Sequence, residues 1–162
     1  MFGFGKKSNI TTIASPMNGT VIPLSEINDP VFSQGILGPG IAIKPESGCV
    51  LAPCNAVIEQ MFETGHAVSL LTDDGLQLLI HVGIDTVKLK GMYYTIVKNS
   101  GEKVNKGEVL MEFDAAAISA EGFDTVTPVV VCNPDDFGKL SFAKEGTVKA
   151  GDMLITARKG GS

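Results

Sequence analysis

Thr64-Gly65-His66-Ala67-Val68-Ser69-Leu70-Leu71-Thr72-Asp73-Asp74-Gly75-Leu76-Gln77-Leu78-Leu79-Ile80-His81 is the stretch on which the fold turns. Two apolar runs of strand length flank a Thr-Asp-Asp-Gly cluster, and Asp and Gly in that setting mark a tight turn. The segment reads as an antiparallel β-hairpin. It carries both histidines of the chain, His66 and His81, near its open end. A turn centred between Asp73 and Asp74 pairs residues whose numbers total 147, which sets His66 across from His81 with Cβ atoms about 4.5–5.5 Å apart. A three-residue turn with Gly75 left-handed totals 148 and sends the rings to opposite faces. A two-residue turn at Asp74-Gly75 totals 149 and returns them to one face, a diagonal apart. Patterning favours the first register. It groups Ala67, Ser69, Leu71, Leu78, Ile80 and Val82 as a core face, and Thr64, His66, Val68, Leu79, His81 and Gly83 as an apolar face suited to docking.

Similar short runs fill the rest of the chain: residues 19–23, 41–44, 56–62, 109–113, 126–132 and 153–157. Between them lie 19 Gly and 8 Pro, with turn signals every 8 to 12 residues. This is the pattern of an all-β, antiparallel sandwich or barrel. Helical periodicity is confined to Ala115–Ala120, with Asp114 as N-cap, and to a single turn opening at Pro134. Two motifs recur. Val104-x-x-Gly107-Glu108-x-Leu110 returns as Val148-x-x-Gly151-Asp152-x-Leu154, and Ser15-Pro16-Met17-Asn18-Gly19 resembles Ala52-Pro53-Cys54-Asn55-Ala56. The expectation is an internally duplicated hybrid motif with at most one or two short helical turns. Residues 12–158 form the domain, between a flexible segment 1–11 and a flexible tail 159–162.

The chain has 162 residues, 44% hydrophobic and 19% charged, a globular composition rather than a disordered one. Its net charge of −5 argues against nucleic-acid binding. No apolar run approaches the roughly 18 residues of a membrane span, and MFGFGKK lacks the apolar region of a signal peptide. The expectation is a cytoplasmic protein without membrane insertion, whose Cys49, Cys54 and Cys132 are reduced packing residues.

Two neutral imidazoles in contact are chemically useful. One can act as a nucleophile near pH 7 while the other donates a hydrogen bond to charge developing on the incoming group. Asp85, four residues past His81, can attract a basic partner or hold an imidazole. Thr64, two residues before His66, can orient that ring.

Residues 78–91, LLIHVGIDTVKLKG, resemble the signature of the glucose-family enzyme IIA domain of the bacterial phosphoenolpyruvate-dependent sugar phosphotransferase system. The likeness extends to FETGHAVSL (62–70), DPVFSQGILGPGIAIKP (29–45), SPMNGTVIPL (15–24), EFD (112–114) and TPVVVCN (127–133), nearly the whole chain. The family's two active-site histidines lie 15 residues apart, as here. The resemblance implies an antiparallel β-sandwich and a phosphotransferase acting through phosphohistidine. His81 would take a phosphoryl group from the phosphocarrier HPr and pass it to a cysteine of the IIB domain of a sugar permease. His66 would stabilise the phosphate, with Thr64 orienting His66. Asp85 and Asp29 would meet basic residues of HPr, and Val31, Phe32, Ile36, Leu37 and Phe62 would form the docking surface, beside Val68 and Leu79 from the hairpin face. A regulatory role of the unphosphorylated form is also implied. Gln77, Gly65 and Met92-Tyr93-Tyr94 depart from the family's common Glu, larger polar residue and Glu-Gly-Phe.

Other classes fit less well. The repeated turn motif suits a lipoyl or biotinyl carrier, but no Met-Lys-Met is present. Gly35, Gly38 and Gly40 do not follow the GxxxxGK pattern of ATP binding. His66 and His81 supply two zinc ligands where three or four are needed. The expectation is therefore a monomer without a cofactor, with zinc only at an interface.

Overall fold

The structure is a computed structural model that describes residues 10–159. Residues 1–9 and 160–162 of the two expected flexible segments lie outside the described residues. Ile10 and Thr11 do not belong with the flexible segment, because they pair in the first strand with Arg158 and Ala157.

Among the described residues the chain forms fourteen strands: β1 (Ile10–Ala14), β2 (Gly19–Pro23), β3 (Gly40–Pro45), β4 (Cys49–Leu51), β5 (Ala56–Met61), β6 (Ala67–Leu71), β7 (Gln77–His81), β8 (Tyr94–Ile96), β9 (Lys103–Val104), β10 (Val109–Phe113), β11 (Thr127–Val131), β12 (Lys139–Phe142), β13 (Gly146–Val148) and β14 (Met153–Arg158). They make an eight-stranded sheet in the order β9-β5-β6-β7-β11-β3-β2-β13 and two three-stranded sheets, β4-β10-β8 and β12-β14-β1. The pairings are antiparallel. Two short α-helices interrupt them, α1 (Pro30–Ser33) and α2 (Ala115–Ala120), together with three 3-10 turns. Asp114 caps α2 as expected, its Oδ1 accepting from the Ala117 N–H at 3.0 Å.

Strand alternation divides the apolar residues of the large sheet between two clusters. Val21, Ile41, Ile43, Val68, Leu70, Leu78, Ile80, Val129 and Val131 point into the main core against the smaller sheets. Their sequence neighbours Ile22, Ala42 and Val130 point the other way. There they join Leu24, Ile27, Phe32, Ile84 and Val126 in a second, smaller cluster, with Leu79 packed against it. The second cluster cushions α1 on the outer face of the sheet.

The hairpin corrects one expectation. The pairs Ala67 with His81, Val68 with Ile80 and Leu70 with Leu78 follow the 148 register, not the favoured 147. The turn explains it: Gly75 is left-handed at φ 92°, and the Thr72 N–H donates to the Leu76 carbonyl at 3.0 Å, so three residues form the loop. In β6 the core face is therefore Val68 and Leu70, not Ala67, Ser69 and Leu71.

The internal duplication is written in hydrogen bonds. Ala14 donates to the Pro53 carbonyl at 2.9 Å, and Leu51 donates to the Pro16 carbonyl at 2.8 Å. Asn18 Oδ1 accepts from Ala150 and Asn55 Oδ1 from Lys106, both at 2.8 Å. Ser15 donates to the Asp152 carbonyl as Ala52 does to that of Glu108. Each half thus closes its Gly-acid turn on the same loop of its own half, and the two loops bond reciprocally to each other. No helix among the described residues is long and apolar enough to cross a membrane.

Candidate active site

His81 ends β7 on the outer face of the large sheet, in step with Leu79. His66 lies one residue before β6, next to Gly65 at φ 73°. In the 148 register strict alternation would separate the two rings by the sheet. The pleat stops at Ala67, however, and the left-handed Gly65 turns the chain just before His66. Ala67, directly across from His81, ends at a methyl group and leaves space beside the imidazole. The rings meet edge to face, with centroids 5.0 Å apart and planes at 78°. Phe32 stacks obliquely on His81 at 5.1 Å and Phe62 meets His66 at 5.6 Å, so the imidazoles lie between two phenyl rings.

The second nitrogen of each ring is occupied. His81 Nδ1 lies 2.7 Å from the carbonyl oxygen of Gly83. A carbonyl only accepts, so Nδ1 carries the proton and Nε2 keeps its lone pair. His66 Nδ1 is hydrogen-bonded to the Thr64 hydroxyl. Gly83 is required where it stands, because it is left-handed at φ 90° and a β-carbon there would collide with the Thr86 methyl. Burial pushes the His66 pKa down to about 4, helped by the adjacent His81. Burial also lowers the pKa of His81, against the opposing pull of the Gly83 carbonyl, Asp29 and Asp85. Both rings are therefore neutral at pH 7.

Asp29 and Asp85 thus act on His81 from two different elements. Asp29 caps α1, its Oδ1 accepting from Val31 N–H at 3.0 Å. Asp85 is left-handed at φ 59° and opens the 3-10 turn Thr86–Leu89. Around them Val31, Leu37 and Ile36 are exposed, Ile36 by 65%. Phe62 and Leu79 are half-buried. Two of the expected docking residues do not face solvent. Val68 is fully buried because the 148 register turns it into the main core, and Phe32 is only 4% exposed because it anchors α1 to the second cluster. Phe32 shapes the site by packing on His81, whereas Val68 contributes nothing to its surface. Sequence reading missed α1 itself, although Asp-Pro at 29–30, an N-cap followed by proline at the first helical position, was a readable signal. It also missed Val87, exposed by 52% in the 3-10 turn behind Asp85. Among the described residues no three His, Cys, Asp or Glu side chains gather as a metal site.

An apolar face around two neutral imidazoles, one with its Nε2 lone pair unprotonated, has the chemistry of a nucleophile with a hydrogen-bond donor beside it. The profile of the phosphoenolpyruvate-dependent sugar phosphotransferase system EIIA 1 family matches residues 11–137. The chain belongs to this family of phosphotransferase components, as the signature at 78–91 implied. It is 44% identical over 153 residues to the PTS system beta-glucoside-specific EIIBCA component of Halalkalibacterium halodurans, covering 94% of this chain and 24% of that protein. It is 41% identical over 143 residues to the protein of the same name from Bacillus subtilis, covering 88% of this chain and 24% of that protein. The chain thus spans about a quarter of the length of these curated relatives. The solved glucose permease IIA from Mycoplasma capricolum superposes with a TM-score of 0.86 at 31% identity, over 96% of this chain and 99% of that one. The sandwich expected from the strand pattern is the fold of that neighbour.

Proposed function

We propose that this chain is a phosphocarrier that takes a phosphoryl group from phospho-HPr onto Nε2 of His81 and hands it to a cysteine of the IIB domain of a sugar permease. The observation that carries the reading is the 2.7 Å contact of His81 Nδ1 with the Gly83 carbonyl, which leaves the Nε2 lone pair as the nucleophile. In the first step Nε2 bonds to phosphorus while the bond to the HPr imidazole breaks and its electron pair returns to that ring. In the second, a IIB thiolate bonds to phosphorus and the electron pair returns to His81. The hydrogen bond between the Thr64 hydroxyl and His66 Nδ1 fits either tautomer; in this reading the hydroxyl donates, so that His66 Nε2 carries the proton offered to the phosphoryl oxygens. Such transfer depends on positioning and charge stabilisation, and an apolar face strengthens both when a partner expels water.

Val31, Ile36, Leu37, Phe62 and Leu79 form the docking face, and Asp29 and Asp85 attract basic residues of HPr. Likeness to beta-glucoside-specific relatives supports a permease of that class as the partner carrying IIB. Phosphorylation adds about −1.5 to −2 charge to the middle of this face, if the group behaves as other protein phosphates do, and so exchanges partners without refolding. The unphosphorylated face is the one open to regulatory targets. The test is incubation with phosphoenolpyruvate, enzyme I and HPr. One acid-labile phosphate is expected, lost in His81→Ala. Normal labelling of His81→Ala would overturn the assignment.

A further inference from the structure

Val82, the residue that follows His81, is held from several directions. The Val82 N–H donates to the His66 carbonyl at 2.6 Å. The Val82 carbonyl accepts two hydroxyls, Thr86 Oγ1 and Tyr94 Oη, each at 2.7 Å. Thr86 is fully buried. Tyr94 comes from β8 in a different sheet, and its ring stacks on Phe113 with centroids 6.4 Å apart. The same tyrosine backs the other histidine: a β-carbon at Gly65 would stand 3.1 Å from Tyr94 Cβ. Tyr94 therefore touches the residue before His66 and the residue after His81.

We infer that Tyr94, together with Thr86, is a positioning residue for phosphoryl transfer, the two hydroxyls clamping the Val82 carbonyl and so fixing the spacing of the two imidazoles. The inference rests on the carrier reading above and deepens it. Neither hydroxyl touches the phosphoryl group; both act through the carbonyl of Val82, the residue whose N–H is hydrogen-bonded to the His66 carbonyl and which links His81 to Gly83, whose carbonyl sits on His81 Nδ1. One ring must reach phosphorus while the other grips its oxygens, and a misplacement of about 1 Å in such an arrangement costs on the order of 10²-fold in rate. The carbonyl has two lone pairs and two donors. Removing one hydroxyl leaves it half served, whereas removing both leaves a buried acceptor with neither side-chain donor, so the two deletions are not additive.

The test compares Tyr94→Phe, Thr86→Val and the double variant in the full chain. Single-turnover transfer from phospho-HPr is measured over a concentration series, and the histidine rings are titrated by NMR. Tyr94→Phe keeps the ring on Phe113 and Gly65, and its limiting rate is expected to fall about 3-fold, the lower range for one hydrogen bond. The double variant is expected to fall by at least about 30-fold, with half-saturation for phospho-HPr unchanged. In Tyr94→Phe the His66 titration midpoint moves upward, since a looser ring regains water. A double variant with the wild-type limiting rate, or a Tyr94→Phe protein with unmoved rate and unmoved His66 midpoint, overturns the clamp. If the double variant does not fold, the Tyr94→Phe rate and midpoint decide. If the wild-type chain takes no label from phospho-HPr, the carrier reading falls, while the Tyr94→Phe titration still decides whether the clamp exists.

Discussion

His81 and His66 sit 5.0 Å apart and are given different duties by what touches their second nitrogens. A backbone carbonyl holds His81 and a side-chain hydroxyl holds His66. The carbonyl dictates a tautomer, because it cannot donate; the hydroxyl, which both donates and accepts, is compatible with either. Two predictions belong at this level. His66→Gln keeps the nucleophile and its carbonyl, so it still accepts phosphate from HPr. Onward transfer to IIB then slows by about 10²–10³-fold, the usual cost of losing one donor to transition-state charge. Rapid-quench transfer to a IIB domain checks this, and an undiminished rate would remove His66 from the mechanism. The double change Asp29→Asn with Asp85→Asn leaves both rings in place and removes the negative charge beside them. Association with HPr at low salt is expected to slow by about 10-fold, with the salt dependence flattened, by stopped flow. A salt dependence equal to wild type would mean that these carboxylates do not steer the partner.

Gly83 joins β7 to the 3-10 turn Thr86–Leu89 and holds His81 through its carbonyl while its own N–H donates to Val126 at 3.1 Å. A β-carbon there meets the Thr86 methyl and lies 3.0 Å from the Asp124 carbonyl. Gly83→Ala is therefore expected to destabilise the fold by about 2–3 kcal/mol, combining left-handed strain and overpacking. Urea unfolding measures the stability, and phosphate labelling is expected to drop with it. A stability within about 0.5 kcal/mol of wild type would show that this connection has slack. The same scale shows what a reader of the sequence can see. The long apolar runs were legible, and Gly19–Pro23 and Val109–Phe113 have the strand limits that their patterning indicates. Strands such as β4, β9 and β13 were not, since two or three residues carry too little periodicity, and their pairing is supplied by a distant partner. The histidine pair was legible as a pair, but its register was not. Patterning in β6 is nearly indifferent between the two faces, since Val68 and Leu70 alternate with Ala67, Ser69 and Leu71, and the left-handed Gly75 settled the matter. That the rings meet in a register that should part them depends on His66 lying beyond the end of its strand, a detail no alternation rule contains.

The molecule as a whole keeps two imidazoles neutral by burying them between phenyl rings against a rigid duplicated sandwich, and this arrangement has a price in acid. His66 has its pKa pushed from 6.5 down to about 4, mainly by burial, and that of His81 is lowered for the same reason. The unfolded chain therefore binds a proton at His66 between about pH 6.5 and pH 4 while the folded chain does not, and the lowered His81 acts in the same direction. Under those conditions stability rises with pH, so the contribution is full above the unfolded pKa and is lost as the pH falls through this window. The shift at His66 corresponds to at most about 3 kcal/mol, a large share of a domain's total. Thermal melts at pH 7, 5.5 and 4.5 are expected to fall steadily. In His66→Gln, whose amide does not titrate, the fall between pH 6.5 and 4.5 becomes shallower, leaving the part due to His81. Equal slopes in wild type and His66→Gln would mean that the ring is hydrated in the folded chain. A hydrated His66 would be largely free to protonate near pH 6.5, and it could no longer serve as the neutral neighbour that keeps the face around His81 apolar until a partner docks.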